Sequence, residues 1–169
     1  GEPLSAAQKG TAVHTFMQYA DYSLAEQEPQ KEILRLVSMK YLTPQEAENV
    51  NGEKLRKFFG SALYHRMKNA EKIYRELKFF TSVDASEYTG EPSCQEKIVV
   101  QGIADCVFVE QGKAVLVDYK SDRVQNEEVL KKRYEPQLML YKKAIEEGLS
   151  LPVSQCVLYS FALDREIVL

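Results

Sequence analysis

Asp105, Asp118 and Lys120 are the residues of this 169-residue chain whose types and spacing could do chemistry together. The acids sit in Gly102-Ile103-Ala104-Asp105 and Val117-Asp118-Tyr119-Lys120, on either side of a Gln111-Gly112 turn signal. A β-hairpin centred on that turn opposes residues equally far from it, which sets Asp105 directly across from Asp118 on one sheet face. Opposed Cβ atoms lie about 5 Å apart, and at an effective dielectric near 20 two carboxylates that close repel by about 3 kcal/mol. Lys120, two residues beyond Asp118, shares its face by strand alternation, but one ammonium cannot neutralise two acids. A hard divalent cation with oxygen preferences, Mg2+ or Mn2+, can.

The plainer reading is a solvated hairpin with a charged face, and a bulged loop would offset the two acids. The apolar runs Val115-Leu116-Val117 and Ile98-Val99-Val100 instead suggest a buried central sheet, where charges need a reason.

Helices must precede that hairpin. Ser5 with Gln8 forms a capping-box start for a helix to about Ala20, and Thr43-Pro44-Gln45-Glu46 forms a second with proline at the first helical position. Helical periodicity runs over 31–39 and 53–68, the latter placing Leu55, Phe58, Phe59, Ala62, Leu63 and Met67 on one apolar stripe. Residues 73–83 read as a strand, followed by a polar loop through Gly90-Glu91-Pro92 and the hairpin over 97–121. Asn126 caps a helix from Glu127, interrupted or restarted at Pro136 and ending at Gly148, and strands over 157–161 and 166–169 complete the sheet. The order indicates an α+β fold with helices on the sheet faces and an N-terminal helical portion.

Composition bounds the partners. With 44% hydrophobic residues and no long apolar segment, the chain reads as one globular domain over 1–169 that is not a membrane protein. Because it opens on Gly1, it is expected to be excised from a longer polypeptide. Cys94, Cys106 and Cys156 are odd in number and lack close ligand spacing, which argues against a disulfide framework, a zinc site or an iron-sulfur cluster, and suits a reducing cytoplasm. All three read as structural. The net charge of −3 discourages generic nucleic-acid affinity, and the basic run Lys131-Lys132-Arg133 with Lys142 and Lys143 reads first as a solvated helix face.

Taken together and in order, further residues carry a resemblance. They are Gly10-Thr11-Ala12-Val13-His14, Glu76, Gly102-Ile103-Ala104-Asp105, Asp118-Tyr119-Lys120, and Tyr134, Gln137 and Tyr141. The set resembles the RecB-type branch of the PD-(D/E)XK nucleases, most closely the C-terminal nuclease domains of AddA-type helicase-nucleases. The resemblance implies a restriction-endonuclease-like central mixed sheet flanked by helices, and a metal site of His14, Asp105, Asp118 and the Tyr119 carbonyl. It makes Glu76 a secondary acid and places Tyr134, Gln137 and Tyr141 on the DNA. By strand alternation alone, Glu76 shares a face with Tyr74 and Lys78, so an exposed strand face explains it equally well. Gly10, early in a helix, costs about 1 kcal/mol against alanine, which a close approach of that helix would explain. His65 has no such support and reads as surface.

The expected activity is Mg2+- or Mn2+-dependent hydrolysis of DNA phosphodiesters, with Asp105 and Asp118 holding the metal and Lys120 positioning the water and meeting the developing charge. No serine or cysteine has a nucleophile's setting, so no covalent intermediate is expected. The resemblance also implies a bacterial, cytoplasmic setting in double-strand-break repair and recombination. There the domain would form part of an ATP-dependent exonuclease acting on single strands or duplex ends. Its partners would be the helicase portion of the same polypeptide and a second helicase-nuclease subunit. The competing class is a non-catalytic module that keeps the fold for DNA binding or assembly.

Overall fold

A computed structural model describes residues 1–86, 90–91 and 96–169. Pro92 and Cys94 lie outside the described residues. The N-terminal part is built from short helices: α1 (Ala6–Tyr19), α2 (Tyr22–Gln27), α3 (Pro29–Ser38), α4 (Pro44–Glu48), α5 (Gly52–Phe59) and α6 (Ala62–Lys68). Then come β1 (Lys72–Asp84), β2 (Lys97–Glu110), β3 (Lys113–Lys120), the long helix α7 (Glu127–Leu149), β4 (Val153–Ser160) and β5 (Arg165–Val168). The strands form one mixed sheet in the order β1-β2-β3-β4-β5, antiparallel except where β3 runs parallel to β4. That single parallel pair is made by the α7 crossover, the connection that parallel strands require.

Both capping boxes form, Ser5 with Gln8 and Thr43 with Glu46, and the Asn126 side chain caps α7 by accepting from the Val129 amide. The periodic stretch over 53–68 is two helices rather than one. It breaks at Gly60 and restarts at Ser61, whose hydroxyl accepts from the Tyr64 amide, and the break turns Ala62 out to solvent. α7 runs unbroken through Pro136 and Gly148 and ends at Ser150, which takes the left-handed conformation at φ 53°. Helix α2 gave no expectation, being six residues long.

Two apolar layers sandwich the sheet. One joins α1–α6 to Cys106, Phe108, Val115, Val117, Tyr119, Val157 and Tyr159, with Phe58 at the centre of an aromatic cluster. The other joins α7 to Phe79, Val107, Leu116, Cys156 and Leu158. Val115, Leu116 and Val117 are fully buried, as the apolar run requires, but Ile98 and Val99 are 38% and 71% exposed. They pair with Val83 and Ser82 at the far end of a long β1–β2 ribbon, and that apolar run is therefore not core.

The GIAD glycine has a packing reason. A Cβ on Gly102 would stand 2.4 Å from Phe79 Cζ, because the Phe79 ring lies across its cross-strand partner. Phe79 in turn meets Tyr141 of α7 edge-on at 4.7 Å between centroids. Gly102→Ala is therefore expected to cost about 1–3 kcal/mol by forcing the ring off its site, read as a lower urea midpoint with an unchanged m-value.

Candidate active site

The hairpin turn forms at Gln111 and Gly112, both with positive φ (51° and 70°), the pattern of a two-residue type I′ connection. The register runs from Glu110↔Lys113 to Cys106↔Val117, and one further step sets Asp105 against Asp118. At that step the side chain of Asp105 takes over from the ladder, its Oδ2 accepting from the Tyr119 amide at 2.8 Å.

The neighbouring strand changes phase at the same level. Arg75↔Cys106 and Leu77↔Ala104 are paired, leaving Glu76 opposite Asp105, and Glu76 has a positive φ of 53°. Cys106 belongs to the layer under α1–α6, whereas Ala104, two residues away, belongs to the layer under α7. Tyr74 and Leu77 likewise share the α7 layer. Simple alternation for Glu76 is thus overturned: Tyr74 and Leu77 lie on the same side, with the kink between them. A non-glycine residue in this region costs of order 1–3 kcal/mol and persists where the surroundings hold it, often at functional sites.

Helix α1 brings His14 over the kink. A Cβ on Gly10 would stand 2.7 Å from Ser121 Oγ, so the glycine does mark close approach, to the residue just after β3. His14 Nδ1 lies 3.0 Å from the Gly10 carbonyl, and Nε2 points to Asp105 Oδ2 at 3.5 Å. An Nδ1–H donated to Gly10 leaves Nε2 as the atom offered to the acids. His65 is exposed on α6.

The charges order themselves by burial. The hydrogen bond with Asp105 raises the His14 pKa to about 9 against the opposing effect of burial. Burial works against ionised Asp105, but His14 and the Tyr119 amide hold it below the usual carboxylate range. Asp118, 8% exposed, is pushed up to about 7 by burial and then by Asp105, with Lys120 pulling the other way. Glu76 is also raised, first by burial and then by Asp105. Asp105 thus carries its full charge, whereas Asp118 shares its load with a proton.

Lys120 Nζ stands 2.9 Å from Asp118 Oδ2, yet off the direction of a good hydrogen bond, so that buried oxygen has no directed donor. The ammonium also lies 4.0 Å from the Tyr134 ring centroid, a cation–π contact worth about 0.5–2 kcal/mol. The Tyr134 hydroxyl donates to Asp122 Oδ2 at 2.6 Å, and Arg133 Nη1 reaches the same oxygen at 2.6 Å. Of the other α7 residues, exposed Gln137 donates to the Tyr141 hydroxyl at 3.2 Å, one turn away. An open cleft of about 1270 Å³ adjoins the site, lined among others by Lys9, His14, Lys54, Lys120 and Arg133. Sequence reasoning passed over Asp122, and Arg133 belongs to this cleft rather than to a purely solvated face.

The donor chemistry fits a hard divalent cation. Paired carboxylates, a buried carboxylate oxygen lacking a directed donor, and an ammonium beside it mark a place built for positive charge. Among the described residues, no three His, Cys, Asp or Glu side chains are gathered around one point; His14 is paired with Asp105, and Lys120 with Asp118, instead. A cation held by His14 and Asp118 would have to displace their protons. Mn2+ affinity is expected to rise between about pH 6 and about pH 9, with proton release read by calorimetry in buffers of different ionisation enthalpy.

A kinked hairpin carrying Asp105, Asp118 and Lys120, with α1 laid over it, is the arrangement on which a family assignment can rest, and comparison with known proteins supplies one. The PD-(D/E)XK nuclease superfamily model matches residues 1–166, and the chain belongs to that superfamily. It is 39% identical to an ATP-dependent helicase/nuclease subunit of Clostridium perfringens (strain SM101 / Type A) over 98% of this chain and 14% of that protein. The protein of the same name from Geobacillus thermodenitrificans is 36% identical over 94% of this chain and 14% of its own length. The chain thus spans about one seventh of these relatives. Among solved structures, the crystal structure of SSO0001 aligns at 12% identity with a TM-score of 0.41, covering 81% of this chain and 59% of that one. Cys106 and Cys156 are free and buried. Among the described residues, no helix is long and apolar enough to cross a membrane.

Proposed function

We propose that this chain, over 1–169, is a single metal-dependent deoxyribonuclease domain of a longer bacterial helicase-nuclease that works in the cytoplasm on broken DNA ends. The observation that supports it most is the facing pair Asp105 and Asp118 with Lys120 beside them, in a member of a nuclease superfamily. His14, Asp105, Asp118 and the Tyr119 carbonyl would hold Mg2+ or Mn2+, which would acidify a bound water and polarise the scissile phosphate. Asp118 and Asp105 supply the negative field, and Tyr119, buried among Phe58, Phe161 and Tyr22, fixes the main chain between them. Lys120 orients the attacking water and offers positive charge where the phosphorane's negative charge grows. Glu76 acts as a secondary acid reached through water. Tyr134 borders the strand's path, and Gln137 and Tyr141 extend it along α7.

A net charge of −3 leaves most of the DNA affinity to the motor portion and to a second helicase-nuclease subunit. The relatives' names, ATP-dependent helicase/nuclease subunits, support placement in an ATP-driven helicase-nuclease, which we read as an exonuclease. The test is digestion of single-stranded and duplex-end DNA by the purified chain, with Mg2+ or with chelator. Cleavage only with metal is expected. Mn2+ binding that is unaffected by Asp118→Ala would favour a non-catalytic module instead.

A further inference from the structure

We propose that Tyr134 is a positioning residue for Lys120: its ring and the Asp118 carboxylate together grip the ammonium, and Asp122 locks the ring in place. The inference rests on the nuclease reading above and adds to it a device that fixes the lysine. Lysine is a flexible four-carbon stem with many rotamers, and a group that must meet a reacting phosphate needs one of them. At this site Lys120 Nζ has Asp118 Oδ2 at 2.9 Å and the Tyr134 centroid at 4.0 Å, and its side chain is only 17% exposed. Asp118 alone is a poor guide, because the contact is not directed as a hydrogen bond and Asp118 has a second claim on its oxygen as a proposed ligand. The ring has no metal to hold.

Tyr134 is itself held. Its hydroxyl donates to Asp122 at 2.6 Å, and Asp122 also takes Arg133 at 2.6 Å. Asp122 lies two residues past Lys120, so the path from β3 through Asp122 and Tyr134 back to Lys120 closes a short ring of contacts between β3 and α7. With its face on Lys120 and its hydroxyl on Asp122, Tyr134 is engaged by protein groups at both ends, which a residue serving only to touch DNA would not require.

The ring leaves a signature that needs neither metal nor DNA. The ε-methylene protons of Lys120, assigned in the isotope-labelled wild-type chain, should be shifted upfield by the ring current, should keep a smaller upfield shift in Tyr134→Phe, which retains the ring but loses the Asp122 bond, and should return to ordinary values in Tyr134→Leu. In Mg2+-dependent cleavage, Tyr134→Leu should lower kcat by about tenfold with KM within about twofold, while Tyr134→Phe keeps kcat within about threefold. Unshifted Lys120 protons in the wild type would overturn the proposal, with no variant needed. So would a Tyr134→Leu effect confined to KM, which would make the ring a strand contact, or a Tyr134→Phe loss as deep as that of Tyr134→Leu. Full cleavage by Lys120→Ala would instead sink the nuclease reading while the proton shifts still reported the grip.

Discussion

Asp118→Asn is expected to abolish metal-dependent cleavage, by about 10²–10³ or more, while making the metal-free domain harder to unfold. The first effect follows from removing a carboxylate that is paired with Lys120 and would hold the proposed cation. The second follows from the cost of that carboxylate. Burial and the Asp105 charge raise its pKa from an ordinary 3.8 to about 7, so the ionised form is less stable folded than unfolded. The sign is fixed by linkage. A raised carboxylate pKa imposes no penalty below about pH 4, an increasing one as pH climbs toward about 7, and the full one above it. Asp118→Asn should then gain about 1 kcal/mol or more at pH 8, part of the gain being offset where Lys120 loses its counter-charge, and nothing near pH 4. Lys120→Ala should lose cleavage equally but move stability the other way, by about 1–3 kcal/mol, because Asp118 is left buried beside Asp105 without compensation. Urea melts at the two pH values and a cleavage assay check both. An Asp118→Asn variant that lost activity and stability together would mean that the acids hold up the fold rather than serve a ligand.

The second large effect lies under the site. Phe58→Ala should cost about 3–5 kcal/mol. Phe58 is fully buried and meets Tyr22, Phe59, Tyr64, Tyr119, Tyr159 and Phe161 in one aromatic cluster, so its removal opens a cavity that many rings would have to close. Tyr119 is the functional link. Its ring packs edge-on against Phe58 at 5.6 Å, and its amide is the donor that fixes Asp105. A melting point lower by about 10 °C is expected for a chain of this size. Phe80→Ala is the control: that ring is 67% exposed on the β1–β2 ribbon and should change stability by less than about 0.5 kcal/mol.

The sequence was informative where local chemistry decides structure. Gln111-Gly112 set the hairpin register, both capping boxes began helices, and the facing of Asp105 and Asp118 followed from the turn with no tertiary information. It misled where tertiary context rules. The stripe over 53–68 was apolar enough for one helix, but Ser61 caps a second and the chain bends at Gly60. Alternation placed Glu76 with Tyr74 and Lys78 because no residue type announces a positive φ at a glutamate; the kink is imposed by the strands and helix around it. The run Ile98-Val99-Val100 looked like core because composition does not reveal where the covering helices stop. Asp122 was missed for another reason. Its partners Arg133 and Tyr134 lie on α7, and only the β3–α7 packing brings them together with it.

The measurement closest to the central proposal is a crystal of the domain soaked in Mn2+ and read at the manganese absorption edge. An anomalous peak bounded by His14, Asp105 and Asp118 is expected, with Lys120 drawn away from Asp118 Oδ2 to make room. A saturating soak that put manganese elsewhere, or nowhere, with the Lys120–Asp118 pair intact would contradict it.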